Sequence, residues 1–364
     1  MNESGHENNL PFPGKLAVIT VVESINKEDF HSAGLLIKKY GPDKVIHSTW
    51  PENFMAEQDR MSAIVAAIAA DMEVKVLIVN QALPGTNAAV NLLKKNRDDI
   101  FVIYFTVQES YTEAAACANL IFMYNNLGMA PEMVKQAKKH GAKAFVHYSF
   151  PRHLSLPMSS TRCRLIKENC AAEGIQFISA ITPDPADENG IFAARQFILE
   201  DVPKMVARYG EDTAFFCTNC HMQIPLIKAI VDCRAIYPQP CCPSPYHGFP
   251  EALGIETGEG LGDLSHIINE ISNIVAERNM SDRLSTWPLS GSMMYTSAAA
   301  EYAIKRINGE VSRNHIDDRI LEDCMKSYIK EVVGEGVEVT MTSYSESGIS
   351  YDNFKLILMS YLDF

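Results

Sequence analysis

The chain has 364 residues, 47% of them hydrophobic and 21% charged, which is ordinary for globular proteins and long enough for two domains. Its formal net charge of −13 argues against non-specific nucleic-acid binding, because such binding needs an excess of Lys and Arg to neutralise phosphates. Nine cysteines, an odd number without regular spacing, favour a reducing compartment. No run is apolar enough for a membrane span, and no signal-peptide pattern is visible. We therefore expect a cytoplasmic protein, or an exported one if a native leader is missing from this chain.

The first third of the chain alternates β-rich apolar runs with helical segments. The predicted strands are 15–22, 44–50, 74–81, 100–108 and 119–126, and the predicted helices are 27–40, 54–71 and one that begins at Thr86. Continuous apolar runs are typical of strands that are buried on both faces, and strands joined by helices must pair in parallel. The pattern predicts a doubly wound α/β lobe.

The alternation starts again near residue 129, which predicts a second lobe of the same kind. Its predicted helices are 129–141, the segment around Arg162, 222–230 and 263–279, and its predicted strands are 143–150, 175–182, 213–218 and 235–238. Residues 240–261 are rich in Pro, Gly and Cys and are predicted to be irregular. A helix at 297–310 and strands at 337–342 and 355–362 follow. We expect this tail to cross back, so that lobe one is 15–124 plus about 296–364 and lobe two is 125–295.

Four segments resemble the type I periplasmic-binding-protein superfamily, which includes the sensor cores of LacI-type repressors. They are IFMYNNLGMAPEMVKQAKKHGAKAFVHYSF, SSTRCRLIKENCAAEGI, AFFCTNCHMQIPLIKAI and SAAAEYAIKRINGE. The resemblance implies two Rossmann-like lobes joined by a multi-strand hinge. Leu165 and Ile166 replace the family's Gly-Phe after Arg162, and Cys220 replaces an Asp that often binds ligand. The chain is most similar to an uncharacterised bacterial branch, a domain of unknown function, so the resemblance implies no particular ligand.

In open α/β sheets, ligands bind outside the carboxyl ends of the strands, and that rule selects candidate residues. The predicted ligand-binding residues are Glu23, Ser24, Trp50, Asn80, Gln81, Gln108, Glu109, Tyr148, Arg152, Arg162, Thr182, Asn219 and Tyr246. Most are uncharged donors and acceptors, which suit a polar small molecule. Trp50 could stack on a ligand ring or pack beneath a loop. Arg162 could bind a ligand anion or form a salt bridge that fixes its helix.

The cysteines offer an alternative chemistry. Cys217-x-x-Cys220-His221, with Cys241-Cys242 and His247 downstream, could supply zinc ligands or a redox pair. We expect neither, because Cys217 follows an apolar run and should fill core space, while Cys220 should border the ligand cleft. No metal ligand, cofactor or catalytic residue is predicted.

These observations predict a small-molecule binding protein or sensor that closes its two lobes on a polar solute. It would be a regulator-like ligand-binding domain without its own DNA-binding module, and closure would be read by a homodimer or a partner protein. The alternative is an enzyme that uses His147 or His247 with Glu23 or Glu109 for acid–base chemistry.

Overall fold

The structure, a computed structural model, describes residues 12–258 and 260–364, which form two units. Lobe one comprises 12–124, Gly291–Glu335 and Val339–Ile357, and lobe two comprises the described residues of Asn125–Ser290, Gly336–Glu338 and Leu358–Phe364. The last seven residues, which we expected in lobe one, therefore belong to lobe two. In the described residues, no helix is long and apolar enough to cross a membrane.

The elements follow one another in a regular alternation for most of the chain. The strands are β1 (Lys15–Thr20), β2 (Val45–Thr49), β3 (Val74–Val79), β4 (Phe101–Phe105), β5 (Leu120–Tyr124), β6 (Ala144–Ser149), β7 (Gln176–Ile181), β8 (Thr213–Cys217), β9 (Ser285–Thr286), β10 (Val339–Glu346), β11 (Ile349–Met359) and β12 (Leu362–Asp363). The α-helices are α1 (Lys27–Tyr40), α2 (Gln58–Ala70), α3 (Thr86–Lys94), α4 (Tyr111–Cys117), α5 (Met129–Lys139), α6 (Pro151–Leu154), α7 (Pro157–Ala172), α8 (Gly190–Tyr209), α9 (Gln223–Cys233), α10 (Phe249–Leu253), α11 (Leu264–Glu277), α12 (Gly291–Ile307) and α13 (Asp318–Val333), and Cys220–Met222 forms a 3₁₀ turn.

Lobe one is built on a seven-stranded sheet in the order β10-β11-β5-β4-β3-β1-β2. The pairs from β1 to β5 are parallel, and β11 adds to β5 in parallel. Helices α2, α3 and α4 cover one face, where Met61, Val65 and Val90 pack on the sheet. Helix α12 packs against α1, α13 and β3. Because helices cover both faces of the sheet, the near-continuous apolar side chains of its strands are buried on both sides.

Lobe two has the same design on a smaller sheet. Its three parallel strands have the order β7-β6-β8, and single bridges continue the pairing through Ile236 to Tyr237 and Leu284. Helices α5 and α7 enclose one apolar cluster with Phe145 and Phe216. Helices α8, α9 and α11 enclose another around Phe215. The prediction of two doubly wound α/β lobes is confirmed.

Five helices are absent from the predicted elements, namely α4, α6, α8, α10 and α13, and α8 and α13 are the longest of them. The buried residues of α8 are Gly190, Ala194, Ile198 and Val202, a stripe with four-residue spacing. Such a stripe predicts a helix. Pro203, which directly follows the stripe within α8, has no backbone N–H to donate and normally ends a helix. Helix α12 begins at Gly291, six residues before the predicted start at 297.

Candidate functional site

The order of the strands identifies one position in each lobe where a ligand is expected. In lobe one, β1 lies between β2 and β3, and in lobe two β6 lies between β7 and β8. The connection that leaves β1 runs to β2, whereas the connection that leaves β3 runs to β4 on the other side, and β6 and β8 are related in the same way. This reversal opens a crevice outside the carboxyl ends of the strands. The candidate sites are therefore the ends of β1 and β3 in lobe one and of β6 and β8 in lobe two.

In lobe one, three predicted residues meet at the carboxyl ends of β2, β3 and β4. The Trp50 indole Nε1 donates a hydrogen bond of 3.1 Å to the Gln81 carbonyl oxygen. The Gln108 side-chain amide donates to Gln81 Oε1 at 3.3 Å, and the Gln81 amide donates to the buried carboxylate of Asp29. Asp29, in the first turn of α1, was not predicted. Its signal was the helix start directly after β1, where a carboxylate is favoured.

The backbone at this edge adopts conformations that are rare for these residues. Gln81 has φ 72° and Thr106, which follows β4, has φ 46°. Left-handed φ values are disfavoured for L-residues, most of all for β-branched ones, and the folded structure must offset the cost. Such residues cluster at functional sites, which agrees with a binding role for this edge.

We expect Thr106→Gly to raise the free energy of unfolding of lobe one by about 1 kcal/mol, because glycine adopts positive φ without a steric cost. The measurement is urea unfolding followed by Trp50 fluorescence in a Trp287→Phe background, since the chain has two tryptophans, one in each lobe. Thr49→Gly is the control: Thr49 lies in β2 with ordinary φ, so this change should destabilise. Equal destabilisation by both changes would contradict the strain at Thr106.

Trp50 and a further predicted residue of lobe one, Asn80, are buried and have internal partners. Trp50 is 1% exposed and belongs to the apolar core of lobe one, which favours packing over stacking on a ligand. The fully buried Asn80 amide donates to Ser32 Oγ at 3.0 Å and to Thr296 Oγ1 at 3.3 Å. Asn80 therefore joins β3 to α1 and α12.

The acidic candidates of lobe one also have defined partners. Glu109 accepts backbone N–H groups at the start of α3, with Asn87 N at 3.3 Å. Its own carboxylate thus takes the position that an anionic ligand would occupy at this helix N-terminus. Partial burial raises the pKa of Glu109, against the effect of these N–H groups. Glu23 and Ser24 are exposed; Glu23 pairs with His31 at 2.8 Å, and Ser24 donates to Glu52 at 3.0 Å.

In lobe two, burial again separates the candidates. Tyr148 is buried and donates to Asp201 at 2.9 Å, and Thr182 is buried with its hydroxyl donating to the Ser149 carbonyl oxygen. Both therefore have structural partners. Arg152 is exposed and forms a bidentate ion pair with Asp184, at 2.7 and 2.8 Å.

Two further candidates of lobe two, Asn219 and Tyr246, are only partly buried. Asn219 caps the 3₁₀ turn by accepting the His221 N–H at 2.9 Å, and Tyr246 donates to the Gly262 carbonyl oxygen at 3.3 Å. The structure thus leaves Arg152, Asn219 and Tyr246 as the accessible predicted residues of this lobe.

A hydroxyl–imidazole network at the ends of β6 and β8 was not predicted. Thr218 Oγ1 lies 2.9 Å from Ser149 Oγ and 3.0 Å from His153 Nδ1. Burial, with the neighbouring Arg162 and Arg152, lowers the pKa of His153 to about 4, so the ring is neutral at pH 7. Ser149 ends β6 and Thr218 directly follows β8, at the lobe-two switch point, but these two residues are 69 positions apart in the sequence.

Arg162 is 7% exposed. Its guanidinium is therefore not accessible to an anion from solvent, as a binding site for a ligand anion would require. It donates to Asn126 Oδ1 at 2.8 Å and lies over the Phe216 ring, 5.2 Å from its centroid. Among the described residues, no carboxylate forms an ion pair with Arg162, and the Arg162 Nε has no hydrogen-bond partner. The salt bridge that the sequence suggested is therefore not formed among these residues.

The cysteines of the C-x-x-C pair separate in the structure. Cys217 is fully buried in the apolar core, and burial raises the pKa of its thiol. Cys220 is exposed, and its sulfur lies beside those of Cys241 and Cys242. The geometry agrees with core packing for Cys217, but it favours the metal alternative for Cys220.

Of the two histidines proposed as acid–base groups, His147 is buried and His247 lies beside Cys241. His147 is fully buried, and burial and the nearby Arg162 lower its pKa to about 3. Its Nε2 has no hydrogen-bond partner in the described residues. His147 is therefore out of reach of a substrate in this structure, and His247 lies in the cysteine cluster, with Nε2 3.6 Å from Cys241 Sγ.

A cavity of about 530 Å³ in lobe one lies away from all of these residues. It is lined near the amino ends of β4 and β5 by Phe101, Asn119, Arg306 and Lys355 among others. Arg306 stacks on Phe101, 4.4 Å from its ring centroid, and Lys355 pairs with Asp318 at 2.7 Å. The cavity contains no predicted ligand-binding residue, and the carboxyl-end rule does not favour it.

Comparisons with known proteins give a family and a fold. A family model described as "Protein of unknown function (DUF3798)" matches residues 14–285. An uncharacterised protein of Treponema pallidum (strain Nichols) is 30% identical over 165 residues, 45% of this chain and 76% of the relative. The solved structure of a candidate transcriptional regulator from Clostridium difficile 630 has a TM-score of 0.81 at 23% identity and covers 97% of this chain and 100% of its own.

A substrate-binding protein of a sugar ABC transport system from Bordetella parapertussis 12822 has a TM-score of 0.56 at 12% identity. The alignment covers 96% of this chain and 89% of that one. At such identities these structures establish the shared fold, which is that of type I periplasmic binding proteins, and leave the ligand open.

Proposed function

The chain belongs to the DUF3798 family, whose function is unknown, and we propose that it binds a polar small molecule and closes its two lobes on it. The observation that carries the proposal is the polar network of Trp50, Gln81, Gln108 and Asp29, which lies where the strand order of lobe one reverses. The same fold in a sugar-transport binding protein supports it.

The character of the side chains narrows the ligand class. Gln81 and Gln108 in lobe one, and Asn219 and Tyr246 in lobe two, offer uncharged donors and acceptors, while Arg152 is already paired with Asp184. The N-terminus of α3 is occupied by Glu109. The ligand that fits this set best is a neutral solute rich in hydroxyl or amide groups, such as a sugar, polyol or nucleoside.

The proposal also covers how closure of the lobes is read and where the protein acts. Closure would be read by a homodimer or a partner protein, and the net charge of −13 makes direct DNA binding unfavourable. The cytoplasm is the proposed compartment, with export as the alternative.

The experiment is a thermal-shift screen with sugars, polyols, nucleosides and amino acids, followed by calorimetry on the compounds that stabilise the protein. We expect Gln81→Ala and Gln108→Ala each to weaken binding by about ten-fold, the effect of one lost hydrogen bond of about 1.4 kcal/mol. Gln176→Ala, an exposed glutamine at the amino end of β7, is the control. A ligand that binds all three variants as tightly as the unmodified protein would contradict the proposed site.

A further inference from the structure

Four metal-ligating side chains of lobe two converge outside the polar network described above. They are Cys220, Cys241, Cys242 and His247, and their ligand atoms all lie within 4.8 Å of one another. The Cys220 sulfur lies 3.4 Å from that of Cys241 and 3.9 Å from that of Cys242, and the last two sulfurs are 3.9 Å apart. His247 Nε2 is 3.6 Å from Cys241 Sγ.

These distances match the edges of a tetrahedron around one metal ion. With a Zn–S bond of about 2.3 Å, two sulfurs at tetrahedral positions are about 3.8 Å apart. Disulfide sulfurs are much closer, at about 2.05 Å. The cysteines of a four-iron cluster each bind a different iron and are therefore farther apart. We propose that Cys220, Cys241, Cys242 and His247 bind a single tetrahedral divalent transition-metal ion, for which Zn²⁺ is the best match.

Three thiolates and one imidazole make a complete ligand set. Structural zinc sites have four protein ligands, whereas catalytic zinc sites keep a position open for water. Soft thiolate ligands also disfavour Mg²⁺ and Ca²⁺, which prefer oxygen. The site therefore has the composition of a structural one.

The charge of the surroundings gives an independent observation. Arg162 is buried, keeps its charge because a guanidinium does not deprotonate in proteins, and has no carboxylate partner in the described residues. A buried charge without a counter-charge is strongly unfavourable. Cys241 and Cys242 are near enough to Arg162 for the negative charge of their thiolates to favour the charged guanidinium. A divalent ion with three thiolates carries a net charge of minus one, which is the counter-charge that Arg162 lacks.

The position of the four ligands indicates what the ion would do. Cys220 follows Asn219 in the turn after β8, and the other ligands come from the irregular segment around 241–247. The ion would join these two segments, which are otherwise separated by helix α9. It would thus fix the turn that carries Asn219 at the lobe-two switch point, whether or not the proposed ligand binds there.

The test is the metal content of tag-free protein, purified under reducing conditions from zinc-replete medium and measured by mass spectrometry. We expect about one zinc per chain in the unmodified protein and in Cys233→Ser, whose cysteine ends α9 outside the cluster. Cys220→Ser and Cys242→Ser should each retain much less than one zinc per chain, because each removes one of the four ligands. Equal metal content in all variants, or no metal in the unmodified protein, would overturn the proposal.

A second measurement covers the case in which the serine variants fail to fold. X-ray absorption of the unmodified protein should show three sulfurs at about 2.3 Å and one nitrogen at about 2.0 Å. Cobalt loaded into metal-free protein should give the spectrum of a tetrahedral thiolate site. A shell of only nitrogen and oxygen, or a Cys220–Cys241 disulfide in protein purified under reductant, would reject the site. These results are obtained without any solute, so they are independent of the proposed binding function.

Discussion

We expect Arg97→Lys to lower the free energy of unfolding of lobe one by about 3 kcal/mol, although the charge is conserved. Arg97 is 5% exposed, and its guanidinium donates to the carbonyl oxygens of Ala69, Asp71 and Val74 and to the Asp99 carboxylate. These bonds hold the connection from α2 to β3. A lysine ammonium has no planar fork and cannot reach all of these acceptors.

The measurement is urea unfolding followed by Trp50 fluorescence in the Trp287→Phe background, so that lobe one is observed alone. Arg60→Lys is the matched control, because the Arg60 side chain is 66% exposed and pairs with Glu57 at the surface. Exposed pairs of this kind contribute little, so the change should stay within about 0.5 kcal/mol. If both substitutions had the same small effect, the buried network of Arg97 would not stabilise lobe one as the structure indicates.

The second large effect is a loss of stability of lobe two in mild acid. Burial lowers the pKa of His147 from 6.5 to about 3, so the folded state keeps the ring neutral while the unfolded state binds a proton below pH 6.5. Because the unfolded state then binds more protons, stability falls as the pH falls from 6.5 towards 3. At pH 5, His147 alone should lower the free energy of unfolding by about 2 kcal/mol relative to pH 7.5.

His147→Leu separates this effect from other titrating groups. The leucine removes the proton-binding ring and a buried Nε2 that has no partner in the described residues, so the variant should fold at pH 7.5. Its loss of stability between pH 7.5 and pH 5 should be smaller than that of the unmodified protein by about 2 kcal/mol. The measurement is unfolding followed by Trp287 fluorescence in a Trp50→Phe background. Identical pH dependence in the two proteins would show that His147 titrates normally in the folded state.

Much of the fold could be predicted because the signals for it are local. Apolar runs such as 74–79 and glycines such as Gly41 mark strands and helix ends within a few residues. Helix α8 could not be predicted in this way, because Pro203 directly follows its stripe of buried residues and normally ends a helix. Membership of the last residues in lobe two depends on pairing between β12 and β9, which are far apart in the sequence.

The candidate site was less predictable, because position at a strand end does not determine which way a side chain points. Asn80 and Gln81 are neighbours at the end of β3, yet the first is buried against Ser32 and the second extends the polar network. Cys217 and Cys220 also lie close together in the sequence, yet Cys217 is buried and Cys220 is exposed. The cysteine cluster joins Cys220 to residues more than twenty positions away, and this spacing is compatible with zinc but not specific for it. Only the folded chain brings these groups together.

Hydrogen–deuterium exchange with and without a bound solute tests the proposed binding site most directly. With a solute from the thermal-shift screen, we predict protection of the backbone at the carboxyl ends of the strands, in peptides that cover 20–26, 80–86 and 106–110 in lobe one and 149–154 and 218–222 in lobe two. Protection centred on 306–318 and 352–355 instead would place the solute in the cavity at the amino ends of β4 and β5, and it would contradict the proposed site.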